Sequence, residues 1–269
     1  MGRPGSAETD AVRTDAQPPS GPAGPLDALR GITYVLVLYS LMLVMGVICF
    51  IPSMLSRKWA VASMKAYCAA SLWSLRVIAG TRVEFRGAIP TGPCIIASKH
   101  QSFLDILMLT RVLPWPAFVM KKSIRWVPVL GVYAKRLGSI PIDRQAGREA
   151  TRTLLRGARE QAADRQLIIF PQGTRVPPGA DVRWRTGVVR LYQQTGHPLV
   201  LVALNTGWYW PRKGIRRSRG TVVLEFVETI PADQSTDGLL EEIADKIEAA
   251  SDQLAEEAAN ELRRNGLIP

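Results

Sequence analysis

Residues 31–56 of the chain contain no Asp, Glu, Lys or Arg. As a helix rising ~1.5 Å per residue, that run reaches roughly 39 Å, longer than the ~30 Å hydrocarbon layer of a bilayer. A core helix of a water-soluble domain rarely extends so far without a charge, so the run predicts a membrane-inserted helix. Gly46 and Pro52 can bend it, which keeps a one-leaflet or re-entrant path open beside a full crossing. A late start, great length and the lack of a small-residue cleavage site argue against a secretory signal.

The next segment, 59–80, is apolar and holds Trp59, Tyr67 and Trp73, with Lys58, Lys65 and Arg76 bounding or interrupting it. At about 100° per residue, the spacing of these cations keeps all three within roughly 20° of one line. A narrow basic stripe on an apolar helix predicts an interfacial helix with its cations at lipid headgroups. Arg57, Arg82 and Arg86 add positive charge on one side of the first segment, predicting that this side is cytoplasmic.

The formal net charge of +11 is unevenly spread. From Asp233 onward there are ten acidic and three basic residues, net −7; the remaining 31 basic and 13 acidic residues leave +18 for positions 1–232. That surplus favours anionic partners such as lipid headgroups, nucleotide phosphates or an acidic carrier protein. Nucleic acid fits less well, because the basic loop 212–219 lacks an interleaved aromatic platform and leaves 31–56 unexplained. Cys49, Cys68 and Cys94 are an odd number without metal-ligand spacing, which argues against a disulfide scaffold or zinc site.

Residues 1–25, rich in Pro, Gly, Ala and Ser, predict a disordered tail. Beyond Gly87, strand-like runs at 94–98, 117–120, 139–142, 167–170, 199–204 and 221–227 alternate with helix-like stretches at 102–112, 127–136, 148–165 and 186–194. The fold class expected is α/β: a mostly buried mixed sheet flanked by helices, preceded by the membrane-inserted helix and the interfacial helix. The expected divisions are a tail (1–25), a membrane-anchoring helical segment (26–82), an α/β domain (83–232) and an acidic amphipathic C-terminal helix (233–269).

One of only two histidines, His100, falls where the strand 94–98 gives way to a helix. A strand end is where α/β proteins expose reactive groups to a cleft. On one continuous helix, the side chains of His100 and Asp105 would point about 140° apart. If the helix instead starts at Ser102, His100 lies in the preceding turn and can fold back onto Asp105. A carboxylate there would fix the imidazole tautomer and leave the other ring nitrogen to remove a proton. The competing reading is structural: Ser102 and Asp105 also form a capping-box pattern, with Asp105 satisfying backbone donors. Ser102 is better placed to cap than to act as a nucleophile, and His197 sits in a turn sequence, 195–198.

Residues 99–105, KHQSFLD, resemble the His-x4-Asp motif of the glycerolipid acyltransferases. Three further blocks follow in that family's order: GSIPIDR at 138–144, FPQGTR at 170–175 and VLVALN at 200–205. The N-terminal apolar segment suits the 1-acyl-glycerol-3-phosphate acyltransferase branch. Two positions depart from the family pattern: Gln172 stands where Glu is usual, and Leu201 where Pro is usual.

The resemblance implies transfer of a fatty acyl group from acyl-CoA or acyl carrier protein to the sn-2 hydroxyl of lysophosphatidic acid. The product would be phosphatidic acid, a phospholipid precursor. His100 would be the general base and Asp105 its orienting partner. Independently, Pro171 and Gly173 permit a turn whose amides can approach a phosphate, while Thr174 adds a hydroxyl and Arg175 a two-pronged cation. Arg144 either joins that clamp or pairs with Asp143; Gln172 and Lys121 complete the expected substrate-binding set. No metal or redox cofactor is expected, and the partners expected are membrane lipids, the lysolipid and the thioester donor. The catalytic domain should lie on the cytoplasmic face of a membrane. Alternatives are acylation of another lysolipid, such as a lyso-ornithine lipid, and a non-catalytic membrane-bound protein that binds anionic ligands.

Overall fold

The computed structural model describes residues 18–19, 24–180 and 182–269, so the expected tail lies almost wholly outside the described residues. Helix α1 (Pro25–Ile48) starts with Pro at its first position, where the missing N–H costs nothing, and is long and apolar enough to cross a membrane. It stops at Ile48 because Pro52 would clash with that carbonyl four residues back. A short helix α2 (Phe50–Leu55) makes the bend. Helix α3 (Arg57–Ala79) returns and ends at Gly80, whose φ of 73° supplies the left-handed cap that favours glycine.

The rest alternates as expected: β1 (Thr81–Arg86), β2 (Cys94–Ser98), α4 (Leu104–Val112), β3 (Pro116–Lys121), α5 (Leu130–Arg136), β4 (Ile140–Ile142), α6 (Arg148–Gln161), β5 (Gln166–Ile169), α7 (Gly187–Thr195), β6 (Leu199–Leu204), α8 (Thr206–Tyr209), β7 (Gly220–Ile230) and α9 (Leu239–Arg264). The seven strands form one sheet in the order β1-β7-β6-β2-β5-β3-β4. Strands β2 to β6 run parallel, whereas β7 is antiparallel to β6 and carries β1 parallel to itself. The sheet is therefore mixed.

Alternation along β2 feeds two separate cores. Ile96 packs with α3 and α4 residues such as Leu75 and Leu107, while Ile95 and Ala97 pack with Leu154 of α6, Leu191 of α7 and Ile243 of α9. Both faces are covered, which is why β2, β5 and β6 are buried at every position.

Two elements differ from the sequence reading. Strand β1 straddles the expected boundary at 82/83; its alternating charges, Arg82, Glu84 and Arg86, lie on an edge strand of the sheet. On α3, Lys58 and Arg76 are exposed, but the Lys65 ammonium donates to the Leu113 carbonyl at 3.0 Å. That contact satisfies a carbonyl just past the end of α4, where no further helical N–H is present. The outward face of α3 instead carries Trp59, Trp73 and Val77, all exposed.

Burial pushes the Cys94 thiol from its ordinary 9.0 up to about 12. Between those values the unfolded chain releases a proton that the folded chain keeps, so stability falls as pH rises. The midpoint of thermal unfolding should therefore decline between pH 9 and 11, and Cys94→Ala should flatten that decline. An unchanged slope in the variant would remove Cys94 as a contributor.

Candidate active site

Because β2, β3, β4, β5 and β6 are parallel, their C-terminal ends open on one edge of the sheet, where open α/β folds form clefts. His100 follows β2, Lys121 ends β3, Arg144 follows β4, Phe170 to Arg175 follow β5, and Thr206 follows β6. A cleft of 970 Å³ lies there, lined by His100, Lys121, Arg144, Thr174 and Arg175 among others.

His100 is held from every side. Its N–H donates to Gln172 Oε1 at 3.1 Å, and its carbonyl accepts the Val176 N–H at 2.7 Å. The imidazole stacks on Phe170 with ring centroids 3.9 Å apart. Nδ1 lies 2.7 Å from Asp105 Oδ2, and Nε2 has no hydrogen-bond partner among the described residues. An ionised carboxylate only accepts, so Nδ1 carries the proton and Nε2 keeps a free lone pair.

Helix α4 begins at Leu104, two residues later than expected, leaving His100 to Phe103 as a turn over which Asp105 projects. The carboxylate is fully buried. Its Oδ2 also accepts the N–H groups of Gln101 at 2.8 Å and Ser102 at 3.0 Å, while Oδ1 accepts the Thr206 hydroxyl at 2.5 Å. The two competing readings of Asp105 thus coincide, since one carboxylate satisfies the turn and contacts the imidazole. Ser102 is buried and its Oγ accepts the Leu104 N–H at 3.2 Å. His197 lies outside the cleft, 3.0 Å from the Ala162 carbonyl.

The cleft is strongly cationic. Lys121, Lys122, Arg144, Arg175, Arg185 and Arg212 line it, against one carboxylate, Asp143. Arg144 does not pair with Asp143: its guanidinium donates to the Gly173 carbonyl, and Asp143 Oδ1 accepts the Gln145 N–H. Burial, and then the neighbouring charge of Arg185, press the Arg144 guanidinium below its ordinary value. A partly buried guanidinium, Arg144, beside an exposed one, Arg185, neither with an ion-pair carboxylate among the described residues, makes a site that an anion stabilises.

Gly173, with φ 71°, lines an adjoining 510 Å³ cleft that shares Arg144, Phe170 and Arg185 with the first and adds Arg183. Gln172 lines neither cleft; it is buried, with its carbonyl oxygen engaged by the His100 N–H. Arg185 and Thr206 were not singled out in the sequence. Arg185 stands in the run RWRTG, without a distinctive motif, and Thr206 is the residue immediately after the fourth block. On the apolar side, Phe103, Ile106 and Leu130 are shared with a 40 Å³ slot between α1, α3, α4 and α5 that Met42, Met64 and Tyr67 also line.

The Acyltransferase family model matches residues 81–205, from β1 through the end of β6. A 1-acyl-sn-glycerol-3-phosphate acyltransferase of Pseudomonas aeruginosa is 30% identical over 237 residues, covering 86% of this chain and 92% of that one. The human 1-acyl-sn-glycerol-3-phosphate acyltransferase alpha is 27% identical over 182 residues, 65% of this chain and 64% of that one. The crystal structure of the 1-acyl-sn-glycerophosphate acyltransferase PlsC from Thermotoga maritima shares the fold, with a TM-score of 0.72 over 85% of this chain and 95% of that chain at 20% identity. Sequence identity sustained across nearly the whole of two chains, on a sheet that gathers the four sequence blocks at one edge, makes this chain a member of the 1-acyl-sn-glycerol-3-phosphate acyltransferase family.

Proposed function

We propose that the protein transfers a fatty acyl group from acyl-CoA or acyl carrier protein to the sn-2 hydroxyl of lysophosphatidic acid. The observation that carries this reading is the juxtaposition, in one cleft, of an oriented imidazole and a cluster of guanidiniums, with Nε2 and those guanidiniums free of hydrogen-bond and carboxylate partners, respectively, among the described residues. Nε2 of His100 takes the hydroxyl proton as the oxygen attacks the thioester carbonyl, and Asp105 stabilises the resulting imidazolium. Collapse of the tetrahedral intermediate breaks the carbon–sulfur bond, and the imidazolium returns its proton to the departing thiolate. Phosphatidic acid and a free thiol result, and the scheme balances without a metal or redox cofactor.

Arg175, Arg144 and Arg185 hold the acceptor phosphate, with Thr174 and Lys121 at the cleft margin. Gln172 serves the site from behind, through the His100 backbone. A phosphate-bearing acceptor suits this cationic wall better than a zwitterionic lyso-ornithine lipid.

The contacts of α1 support one reading of its membrane path. Gly31 leaves no room for a Cβ against the Ile215 carbonyl, and Tyr34 meets Trp210 edge-on at 5.3 Å. Farther along, the Gly46 carbonyl accepts the Tyr133 hydroxyl at 3.2 Å. A helix docked on one domain from Gly31 to Gly46 favours insertion into a single leaflet over a full crossing, with the domain on the cytoplasmic face.

Replacing His100 by Ala should lower kcat roughly 10²–10⁴-fold, the usual worth of a general base, while vesicle binding stays intact. Thiol release from acyl-CoA or acyl carrier protein in the presence of lysophosphatidic acid reads it; near-normal turnover would end the assignment. Arg175→Ala and Arg185→Ala should each raise the acceptor KM, and an acceptor series including lyso-ornithine lipid should show selectivity for the phosphate. An unchanged acceptor dependence would remove either arginine from the clamp.

For α1, Gly24→Cys in a Cys49→Ala background should react with a membrane-impermeant maleimide in vesicles displaying the catalytic domain outward. Protection until detergent is added would make α1 a crossing helix.

A further inference from the structure

We infer that Glu248 of α9 is a positioning residue for His100, acting through Lys99 and Gln172; the inference rests on His100 being the general base. Lys99, the residue before His100, is only 2% exposed, and its ammonium is bonded to Glu248 Oε2. This is its one ion pair among the described residues. The other carboxylate oxygen, Oε1, lies 3.4 Å from Gln172 Nε2, and Gln172 is likewise 2% exposed. One carboxylate therefore holds both chain segments that meet at the imidazole: the turn after β2 and the turn after β5.

The Gln172 amide has a single sensible orientation. With its oxygen on the His100 N–H, its NH2 faces Glu248. Turned over, it would set donor against donor at His100 and acceptor against acceptor at Glu248. The carboxylate thus fixes which end of the amide meets His100. It is itself fixed because α9 buries Ile243, Ile247, Ser251 and Leu254 on either side of it. Removing the carboxylate would leave a buried ammonium unpaired and the amide free to turn, and an imidazole displaced by a fraction of an ångström loses its line to the hydroxyl.

A purely structural ion pair and a positioning device respond differently to moving the charge. Glu248→Gln and Glu248→Ala should each lower kcat about tenfold to a hundredfold, with acceptor and donor KM changed by less than about twofold. Gln172→Glu alone sets a second carboxylate against that of Glu248 and should also lower kcat. Combining Gln172→Glu with Glu248→Gln restores one carboxylate, one amide and one ammonium, and kcat should recover to within about threefold of the parent.

The measurements use the full chain in lysolipid-containing vesicles, with circular dichroism establishing folding; should Glu248→Ala fail to fold, the isosteric Glu248→Gln and the double variant carry the test. Wild-type kcat in Glu248→Gln, or a double variant no better than the product of its singles, would overturn the inference. His100→Ala in the same series separates the two levels: activity there removes the general base, whereas an inactive His100→Ala beside fully active Glu248 variants removes only the role of Glu248.

Discussion

A carboxylate withdrawn from water is stable only when donors meet its oxygens on every side, and Asp105 has no solvent contact. Its donors come from separate parts of the chain: the imidazole and two amides of the turn after β2, and a hydroxyl at the start of α8 after β6. Since β2 and β6 are neighbouring parallel strands, that one group ties two strand ends to the first turn of α4. It also sits at the helix N-terminus, where negative charge is favoured. The same hydrogen bonds that allow the carboxylate to be buried aim the imidazole, so neither function has to be given up for the other.

Legibility in the sequence followed the range of the interaction. Strands β2, β5 and β6 announce themselves as unbroken apolar runs because helices cover both faces. Strand β1 does not: Val83 and Phe85 alternate with charges, and its partner β7 lies far along the chain. His100 and Asp105 could be paired from their spacing because one turn decides their contact. Arg185 could not: its place over Gly173 depends on how the loop after β5 folds back, the Arg185 N–H meeting the Pro171 carbonyl, and its nearness to Arg144 depends on the sheet order. The amide of Gln172 looked available to a ligand in sequence. Its commitment to the His100 backbone depends on β2 and β5 lying side by side, with Ala97 opposite Ile169.

The charge asymmetry acquires a structural meaning in the same way. Three carboxylates of α9 reach groups of the domain, while others on the same helix, such as Glu241 and Asp245, are exposed. Glu257 pairs with Arg86 of β1, Glu261 accepts from Tyr209 and from the Thr221 backbone of β7, and Glu248 meets Lys99. Each neutralises or satisfies a group that the sheet leaves over. With these carboxylates engaged on the β1–β7 side and behind the turn that carries His100, the cations on the opposite wall of the cleft have few partners among the described residues and remain available to an anion.

That division bears on how an enzyme of this family meets a lipid. Around the cleft mouth, Trp126 and Val127 are exposed, and Ile215 is exposed beside the N-terminal part of α1. Beyond them stretch the outward leucines and valines of α1 and the tryptophans of α3. An apolar rim of this extent around a cationic cleft matches a substrate with one anionic end and one hydrocarbon end. Drawing an acyl chain fully into water costs ~0.8 kcal/mol per methylene. Under the proposed function, a site at the headgroup level would avoid most of that cost, because the phosphate could reach the arginines while the chain stayed among its neighbours. Gly31 and Gly46 let the backbone of α1 lie against the domain at two places, so under the proposed one-leaflet insertion this docking would fix the separation between the imidazole and the membrane surface.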